Sequence, residues 1–263
     1  MINVIILAAG AGERFKEYSN VSKPFIEVRG KTILEHCTSS IPFILHDMGV
    51  QREDVNLWFA MRSQDAKYVR SMETKYGRNI RKNIVFFDKV TRGNLETAYK
   101  TVKCMANVDG PLYIFDCDNK FVCPELSEYS WASRFLYKFT TDDGLKRNIT
   151  MGFGYEHNDP TDTRWANAVI RKECCSKAYT RMLKIHEKDP KYSAYPRLIG
   201  IFAYTSPQYF MDLASNILEN EQTTANGEFY ISQTLQPNDP FVVVDHFIPL
   251  GTPDDVKKFE ETI

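Results

Sequence analysis

The stretch INVIILAAGAGERF, residues 2–15, is the part of the chain that decides the fold. Its first half is an apolar run rich in Ile and Val, which is typical of a strand buried on both faces of a parallel sheet. The run ends in Gly10-Ala11-Gly12, where two glycines let the backbone turn tightly with its N–H groups facing an anion. Arg14 adds a planar cation that can contact two phosphate oxygens at once. Residues 7–15 are therefore predicted to form a phosphate-binding loop.

Composition and charge place few further limits on function. The chain has 263 residues, a formal net charge of -1 and 43% hydrophobic residues, as expected of a globular protein. It has no general excess of basic residues, so we expect no nucleic-acid partner. No apolar run approaches the roughly 18 residues of a transmembrane helix, so no membrane partner is expected either. Six cysteines without a CxxC pair predict reduced thiols in a cytoplasmic compartment.

Patterns along the chain predict an α/β protein. Strands and helices alternate over residues 1–120, which indicates a parallel sheet with ligands at the carboxyl ends of its strands. Residues 121–263 contain further short strands, and helices are predicted at 208–219, 228–235 and 253–261. Because no linker or repeat separates the two parts, we expect one domain over residues 1–263, with a nucleotide half and a substrate half.

A second motif follows the glycine loop closely. Ser22-Lys23-Pro24-Phe25 precedes VRGKTILEH at residues 28–36. Residues 7–36 together resemble the signature of sugar-phosphate nucleotidyltransferases, in which LAAGxGxR is followed by Lys-Pro and a VxGKPxLxH-like run. That family includes glucose-1-phosphate uridylyl-, thymidylyl- and cytidylyltransferases and phosphocholine cytidylyltransferase-like members. The resemblance implies a Rossmann-like, three-layer (GT-A-like) fold with a mixed, mostly parallel central sheet.

The resemblance also implies roles for residues of both motifs. The loop and Arg14 would hold the triphosphate, Lys23 would lie over the reacting phosphates, and Arg14 and Lys23 would be catalytic. A lysine is a compact, mobile cation that suits charge developing on an α-phosphate. The implied nucleotide-binding residues of the loop are Leu7, Ala8, Ala9, Gly10 and Gly12.

Two acids follow the apolar strand predicted at residues 111–115, in the sequence Asp116-Cys117-Asp118. Carboxylate oxygens suit Mg²⁺, which usually takes one or two of them and completes its shell with phosphate and water. By resemblance, Asp118 is the catalytic, metal-binding Asp of the family. The family's second ligand lies two residues before a Gly-Thr pair. That position is Pro249 here and cannot ligate, so Asp245 is our substitute candidate.

Resemblance in the remaining segments is partial. Gly93 belongs to an element that the family places at the base and ribose, and Asp88 sits where relatives often carry a base-reading side chain. A carboxylate could accept a hydrogen bond from cytosine, guanine or uracil, and we expect a pyrimidine nucleotide. Acceptor contacts are implied for four residues of the second half, namely Glu187, Lys188, Gly200 and Glu228.

The implied reaction is an Mg²⁺-dependent transfer. A phosphorylated acceptor attacks the α-phosphate of a nucleoside triphosphate (NTP), pyrophosphate leaves and a nucleoside-diphosphate-activated compound forms. The resemblance implies a role in surface-polysaccharide biosynthesis. A homo-oligomer is among the expected assemblies. Three alternatives stay open. One is a GT-A glycosyltransferase that uses Asp116-Cys117-Asp118 as its metal motif. Another is a non-catalytic nucleotide-binding regulatory subunit, since position 249 lacks an acid. The third, a nicotinamide oxidoreductase, is disfavoured because Phe15 replaces the third glycine of G-x-G-x-x-G.

Overall fold

The computed structural model describes residues 2–41, 55–105, 108–122, 148–156, 164–171, 179–187, 196–224 and 226–262, together with residues 162 and 191. Its strands are β1 (Ile2–Ala8), β2 (Glu27–Val28), β3 (Lys31–Thr32), β4 (Val55–Arg62), β5 (Ile84–Phe87), β6 (Leu112–Asp116), β7 (Asn119–Val122), β8 (Thr150–Tyr155), β9 (Ala166–Ile170), β10 (Tyr179–Glu187), β11 (Arg197–Tyr204), β12 (Pro240–Val243) and β13 (His246–Pro249). Its α-helices are α1 (Ile33–Thr38), α2 (Val69–Tyr76), α3 (Asn94–Cys104), α4 (Pro207–Glu219) and α5 (Pro253–Glu261).

The main sheet has nine strands within this described part of the chain, in the order β5-β4-β1-β6-β11-β8-β12-β10-β9. Neighbours are parallel from β5 to β6 and again at β8–β12. β11 is antiparallel to β6 and β8, and β10 is antiparallel to β12 and β9. Seven of the nine described strands therefore run in one direction, which confirms the predicted mixed, mostly parallel sheet.

Helices cover both faces of this sheet. Val4 and Ile6 of β1 belong to a buried cluster that includes residues of α1 and α2, whereas Ile5 and Leu7 belong to one that includes residues of α3 and α4. Every residue of β1 is buried. Burial on both faces explains why β1 is apolar at every position except Asn3 rather than alternating, and it confirms the predicted three layers. None of the described helices is both long and apolar enough to cross a membrane.

The C-terminal segment packs against the start of the chain. Val256 and Phe259 of α5 share a third buried cluster with Phe15 and Ile33. Just before α5, β13 pairs with β7 in a separate two-stranded sheet, which sequence patterns did not predict. This pairing holds the segment before α5 beside the turn that follows β6.

The prediction of a helix at residues 228–235 is wrong. The structure has a single 3₁₀ turn there, Ile231–Thr234. The Phe229 N–H donates to the carbonyl of Arg92 at 2.9 Å, and the Phe229 carbonyl accepts from the N–H of Leu95 at 3.2 Å. These backbone bonds to the start of α3 take the groups that a helix would use internally, so tertiary pairing overrides the local preference.

Glu96, in the first turn of α3, is a buried acid with three partners. It accepts the Arg92 N–H at 2.8 Å and forms ion pairs with the side chains of Arg92 (3.2 Å) and Lys100 (3.1 Å). Burial alone would raise the pKa of Glu96, but these partners lower it to about 2. A carboxyl with a depressed folded-state pKa stabilises the fold above its unfolded value and loses that contribution as the pH falls.

We therefore expect Glu96→Gln to lower the free energy of unfolding by up to about 3 kcal/mol at pH 7, and by much less near pH 2. Urea unfolding of both proteins at the two pH values measures the difference. Equal destabilisation at both values would show that the charge of Glu96 contributes nothing.

Candidate functional site

Two cavities open where the parallel strands end. The carboxyl ends of β1 and β6 are neighbours, with Leu7 paired to Asp116. The glycine-loop cavity is lined by the loop after β1, by Lys23 and by the start of α3. The sheet cavity is lined by residues of β9, β10 and β11 and by the segment before α5. Both are lined by Asn94, Asp116 and Asp118, so groups bound in the two cavities would meet at these side chains.

Most of the predicted nucleotide-binding residues lie around the glycine-loop cavity. Gly12 adopts a left-handed backbone conformation (φ 64°) and begins a 3₁₀ turn, Glu13–Phe15. Arg14 in that turn is exposed and lines the sheet cavity instead. The predicted nucleotide-binding and catalytic residues at the glycine-loop cavity are Leu7, Ala8, Ala9, Gly10, Gly12, Lys23, Gly93 and Asp118.

Lys23 and Asp118 form an ion pair where the two cavities meet, and each side chain is 20% exposed. Lys23 comes from the 3₁₀ turn Lys23–Phe25, and Asp118 from the turn between β6 and β7. Burial is the largest single influence and would lower the pKa of Lys23, but the charge and hydrogen bond of Asp118, together with smaller contributions that include the charge of Asp116, outweigh it and the pKa is raised. Lys23 is therefore a cation at neutral pH, and a phosphate group could replace Asp118 as its partner.

Asp116 lies beside this pair, and it lines both cavities together with Asn94 at the start of α3. Burial, assisted by the charge of Asp118, raises the pKa of Asp116 to about 7, although Lys23 opposes the shift. The two carboxylates thus carry more negative charge than Lys23 balances, which fits a bound cation that prefers oxygen ligands.

A complete metal cage made of protein side chains is absent from the described residues, which contain no group of three or more His, Cys, Asp or Glu arranged to hold a metal ion. A site of that kind is not required for Mg²⁺. Where phosphates of a substrate complete the shell, one or two carboxylates are sufficient. Asp118 and Asp116 supply that number.

Gly200 of β11 lies directly against Asp116. Its φ is 68°, and a Cβ at this position would overlap the Asp116 carboxylate. Gly227 offers a matched comparison, because its φ is 78° and nothing lies within 4 Å of its missing Cβ. Both glycines relieve backbone strain, but only Gly200 also leaves room for a site carboxylate.

We expect Gly227→Ala to lower the free energy of unfolding by about 1–2 kcal/mol through strain. Gly200→Ala should lose a further ~1–3 kcal/mol through the overlap with Asp116. Chemical denaturation of the two variants provides the comparison. Equal losses would mean that Gly200 is required only for its backbone conformation.

Asp88 and Asp245 line neither the glycine-loop cavity nor the sheet cavity. Asp88 is exposed, lines neither cavity and accepts a hydrogen bond from the Ser63 hydroxyl at 2.5 Å. Asp245 is exposed, and its N–H donates to Val122 at the far end of β7 (3.2 Å). Four extended residues from Asp118 to that end span about 13 Å, too far for both carboxylates to share one metal ion.

The predicted acceptor-binding residues divide between the cavities. Glu187 and Gly200 line the sheet cavity, and Glu187 accepts the Ser232 hydroxyl at 2.6 Å. Glu228 lines the glycine-loop cavity, where the hydroxyl of Tyr230 donates to it, while Tyr230 itself faces the sheet cavity. Lys188 lies outside the described residues.

Sequence analysis missed an ionic network beside the sheet cavity. Asp162 accepts two hydrogen bonds from the guanidinium of Arg164, both of 2.8 Å, one from the indole of Trp165 at 2.9 Å and one from Arg197 at 3.1 Å. Arg164 also reaches Asp255 in the first turn of α5 at 3.0 Å. The hydrogen bonds from Arg164 hold the pKa of Asp162 far below its ordinary range. Because these residues come from three distant segments, no local motif could have indicated them.

Similarity to known proteins is found among solved structures. No family model and no curated protein matches the chain. Among solved structures, a nucleoside-diphosphate-sugar pyrophosphorylase from Vibrio cholerae RC9 matches with a TM-score of 0.68, 18% identity and coverage of 100% of both chains. A UDP-glucose pyrophosphorylase complexed with UDP-glucose matches with a TM-score of 0.70 and 14% identity, over 99% of this chain and 97% of that chain.

An inositol-1-phosphate CTP transferase from T. maritima matches with a TM-score of 0.60 and 15% identity, over 99% of this chain and 97% of that chain. Structural similarity at these low sequence identities establishes the fold of the chain. The resemblance to sugar-phosphate nucleotidyltransferases that residues 7–36 indicated is confirmed at that level, over the length of the chain.

Proposed function

We propose that the chain transfers a nucleoside monophosphate from an NTP to a small phosphorylated acceptor, such as a sugar 1-phosphate, and releases pyrophosphate. The observation that carries this proposal is the Lys23–Asp118 ion pair at the boundary of the two cavities. It offers a cation for phosphate and an anion for a metal at the one place where groups bound in both cavities would meet.

In the proposed reaction, an oxygen of the acceptor phosphate attacks the α-phosphorus of the NTP. The bond between that phosphorus and the oxygen that bridges to the β-phosphate breaks, and pyrophosphate leaves with the bonding electrons. The nucleophile is already an anion, so no protein base is required, and catalysis depends on positioning and charge neutralisation.

This chain's own residues supply both. The glycine loop around Gly10 and Gly12 holds the triphosphate through backbone N–H groups. Lys23 exchanges Asp118 for phosphate oxygens and neutralises charge at the reacting phosphorus. Arg14, which lines the sheet cavity, contacts the acceptor phosphate.

Asp118 would hold Mg²⁺, with Asp116 as the neighbouring carboxylate. When bound there, the ion supplies further neutralisation of phosphate charge. We propose no base preference, because Asp88, on which the expected pyrimidine rested, lines neither cavity. A nucleotide-sugar product accords with the neighbour of similar fold that was solved with UDP-glucose.

The decisive experiment measures pyrophosphate release over a grid of NTPs and phosphorylated acceptors, with Mg²⁺ and with excess chelator. We expect release with at least one pair and only in the presence of the metal. Tight NTP binding without turnover for any pair would instead support a regulatory subunit. Consumption of a nucleotide sugar without pyrophosphate would support a glycosyltransferase.

A further inference from the structure

Asn94, at the start of α3, is the uncharged member of the three residues that line both cavities. The other two are Asp116 and Asp118, and an ionised carboxylate can only accept hydrogen bonds. Lys23, the cation paired with Asp118, lines the glycine-loop cavity. Of the three shared residues, Asn94 is therefore the one whose side chain can donate a hydrogen bond to a phosphate group whatever its neighbours' protonation.

The backbone around Asn94 lies against a distant segment of the chain. The Leu95 N–H donates to the carbonyl of Phe229 at 3.2 Å. Gly93 permits this approach, since its φ is 145° and a Cβ there would overlap the Phe229 carbonyl. The close approach of these two segments brings the side chain of Asn94 to the backbone of Ile231.

One hydrogen bond sets the orientation of the Asn94 amide. Its Oδ1 accepts the backbone N–H of Ile231 at 2.9 Å. Because a backbone N–H can only donate, the atom that faces Ile231 is the amide oxygen and not the nitrogen. Ile231 lines neither the glycine-loop cavity nor the sheet cavity. The end of the amide that is left to face the cavities is therefore Nδ2, which can donate two hydrogen bonds.

An aspartate at position 94 would accept the same N–H of Ile231, and its charge would suit the first turn of a helix. It would lack the donor, and it would bring a third carboxylate to the boundary that Asp116 and Asp118 line. What asparagine adds is an NH₂ group that is already oriented before a substrate binds. A preorganised donor of this kind stabilises charge on a reacting group without reorganisation during the reaction.

We propose that Nδ2 of Asn94 is a catalytic hydrogen-bond donor to a non-bridging oxygen of the α-phosphate during transfer. This proposal rests on the function proposed above. The phosphorus gains a bond to the acceptor oxygen and loses its bond to pyrophosphate, while negative charge stays on its non-bridging oxygens. Asn94 forms no covalent bond and gives up no proton. Loss of one such preorganised donor lowers kcat about 100-fold.

The test compares Asn94→Asp and Asn94→Ala with the wild-type protein in the pyrophosphate assay. Asn94→Asp keeps the acceptor for Ile231 but loses the donor, whereas Asn94→Ala loses both and adds no charge. Both should lower kcat about 100-fold, and Asn94→Ala should leave the Kd of Mg²⁺-NTP within about threefold. A normal kcat in Asn94→Asp would mean that Asn94 only anchors Ile231. A normal kcat in Asn94→Ala would mean that an uncharged residue suffices, and either result would overturn the proposal.

An NTP with sulfur in place of one non-bridging α-phosphate oxygen gives a readout that a purely structural role would not change. Sulfur is a weak acceptor, so the wild-type protein should turn over at least one of the two diastereomers more slowly than the oxygen substrate. In Asn94→Ala that ratio of rates should be about tenfold smaller, because the contact is already absent. Unchanged ratios for both diastereomers would overturn the contact with the α-phosphate.

Gln233→Ala is the matched control. The Gln233 Oε1 accepts the N–H of Tyr230 at 2.8 Å, one residue before Ile231, and Gln233 lines neither the glycine-loop cavity nor the sheet cavity. The variant removes an anchor of the same segment but no donor at the boundary, so kcat should stay within about twofold. A loss as large as that of Asn94→Ala would overturn the proposal, because displacement of the segment would then explain both variants.

Failure of the proposed function gives a different pattern. In that case the wild-type protein itself releases no pyrophosphate with any substrate pair, and the role of Asn94 is refuted with the reaction. If the function holds and only this inference fails, the wild-type protein is active and the variants of Asn94 are equally active.

Discussion

Replacing Asp118 with asparagine is expected to lower kcat for pyrophosphate release more than tenfold, at least about 1.4 kcal/mol of transition-state stabilisation. The asparagine side chain would have the same size but no charge for a metal ion, and Lys23 would lose its closest anionic partner. The backbone carbonyl at this position would still accept the N–H of Leu250, a bond of 2.8 Å that does not involve the side chain. We therefore expect the local backbone to remain in place.

Asp245→Asn is the matched control, since Asp245 is an exposed acid near the far end of β7. It should leave both kcat and the dependence of the rate on Mg²⁺ concentration unchanged. Titration of the rate with Mg²⁺ for the wild-type protein and both variants provides the comparison. A near-normal rate in Asp118→Asn, or an altered Mg²⁺ dependence in Asp245→Asn, would contradict the assignment of Asp118.

Lys23→Ala is expected to lower kcat by a similar factor, again at least ~1.4 kcal/mol, because it removes the cation nearest the reacting phosphates. Lys16→Ala is the matched control, for Lys16 is exposed, lies in the same segment and pairs with Glu13 at 2.6 Å. An exposed pair of this kind contributes little to stability, and Lys16 lines neither the glycine-loop cavity nor the sheet cavity. Its loss should change kcat less than twofold.

A second measurement separates the role of Lys23 from a general loss of structure. In the free protein the ammonium group of Lys23 is paired with the carboxylate of Asp118, which is proposed to hold the metal. Without nucleotide, Lys23→Ala should therefore bind Mg²⁺ more tightly than the wild-type protein, although it turns over more slowly. Calorimetric titration with Mg²⁺ measures this. Weaker metal binding in the variant would show that the ion pair does not compete with the metal.

Local sequence patterns were sufficient for most of the regular structure. The apolar run of β1, the strand before Asp116 and the closing helix at 253–261 all occur where hydrophobic spacing and helix-start residues predicted them. Such signals depend on neighbours within a few residues, and burial on one or both faces produces them directly. The glycine loop and the Lys-Pro motif likewise identified the edge of the sheet at which the cavities lie.

Local patterns did not indicate which distant residues lie beside these motifs at the cavities. Asp245 and Asp88 have suitable chemistry but line neither cavity, whereas Asn94 and Asp116, from two separate segments, line both. Side-chain direction and the path of the chain between elements depend on packing over the whole fold, which residue spacing does not record.

The sequence by itself therefore determined the order of strands and helices along most of the chain, the phosphate-binding loop and the resemblance that the fold confirms, because each depends on short-range periodicity or a contiguous motif. Only the tertiary structure decided which acid faces Lys23 and that Arg164 links Asp162 to α5. The physical reason is that each of these contacts joins segments distant in sequence, and such contacts form only when the sheet and its loops have folded together.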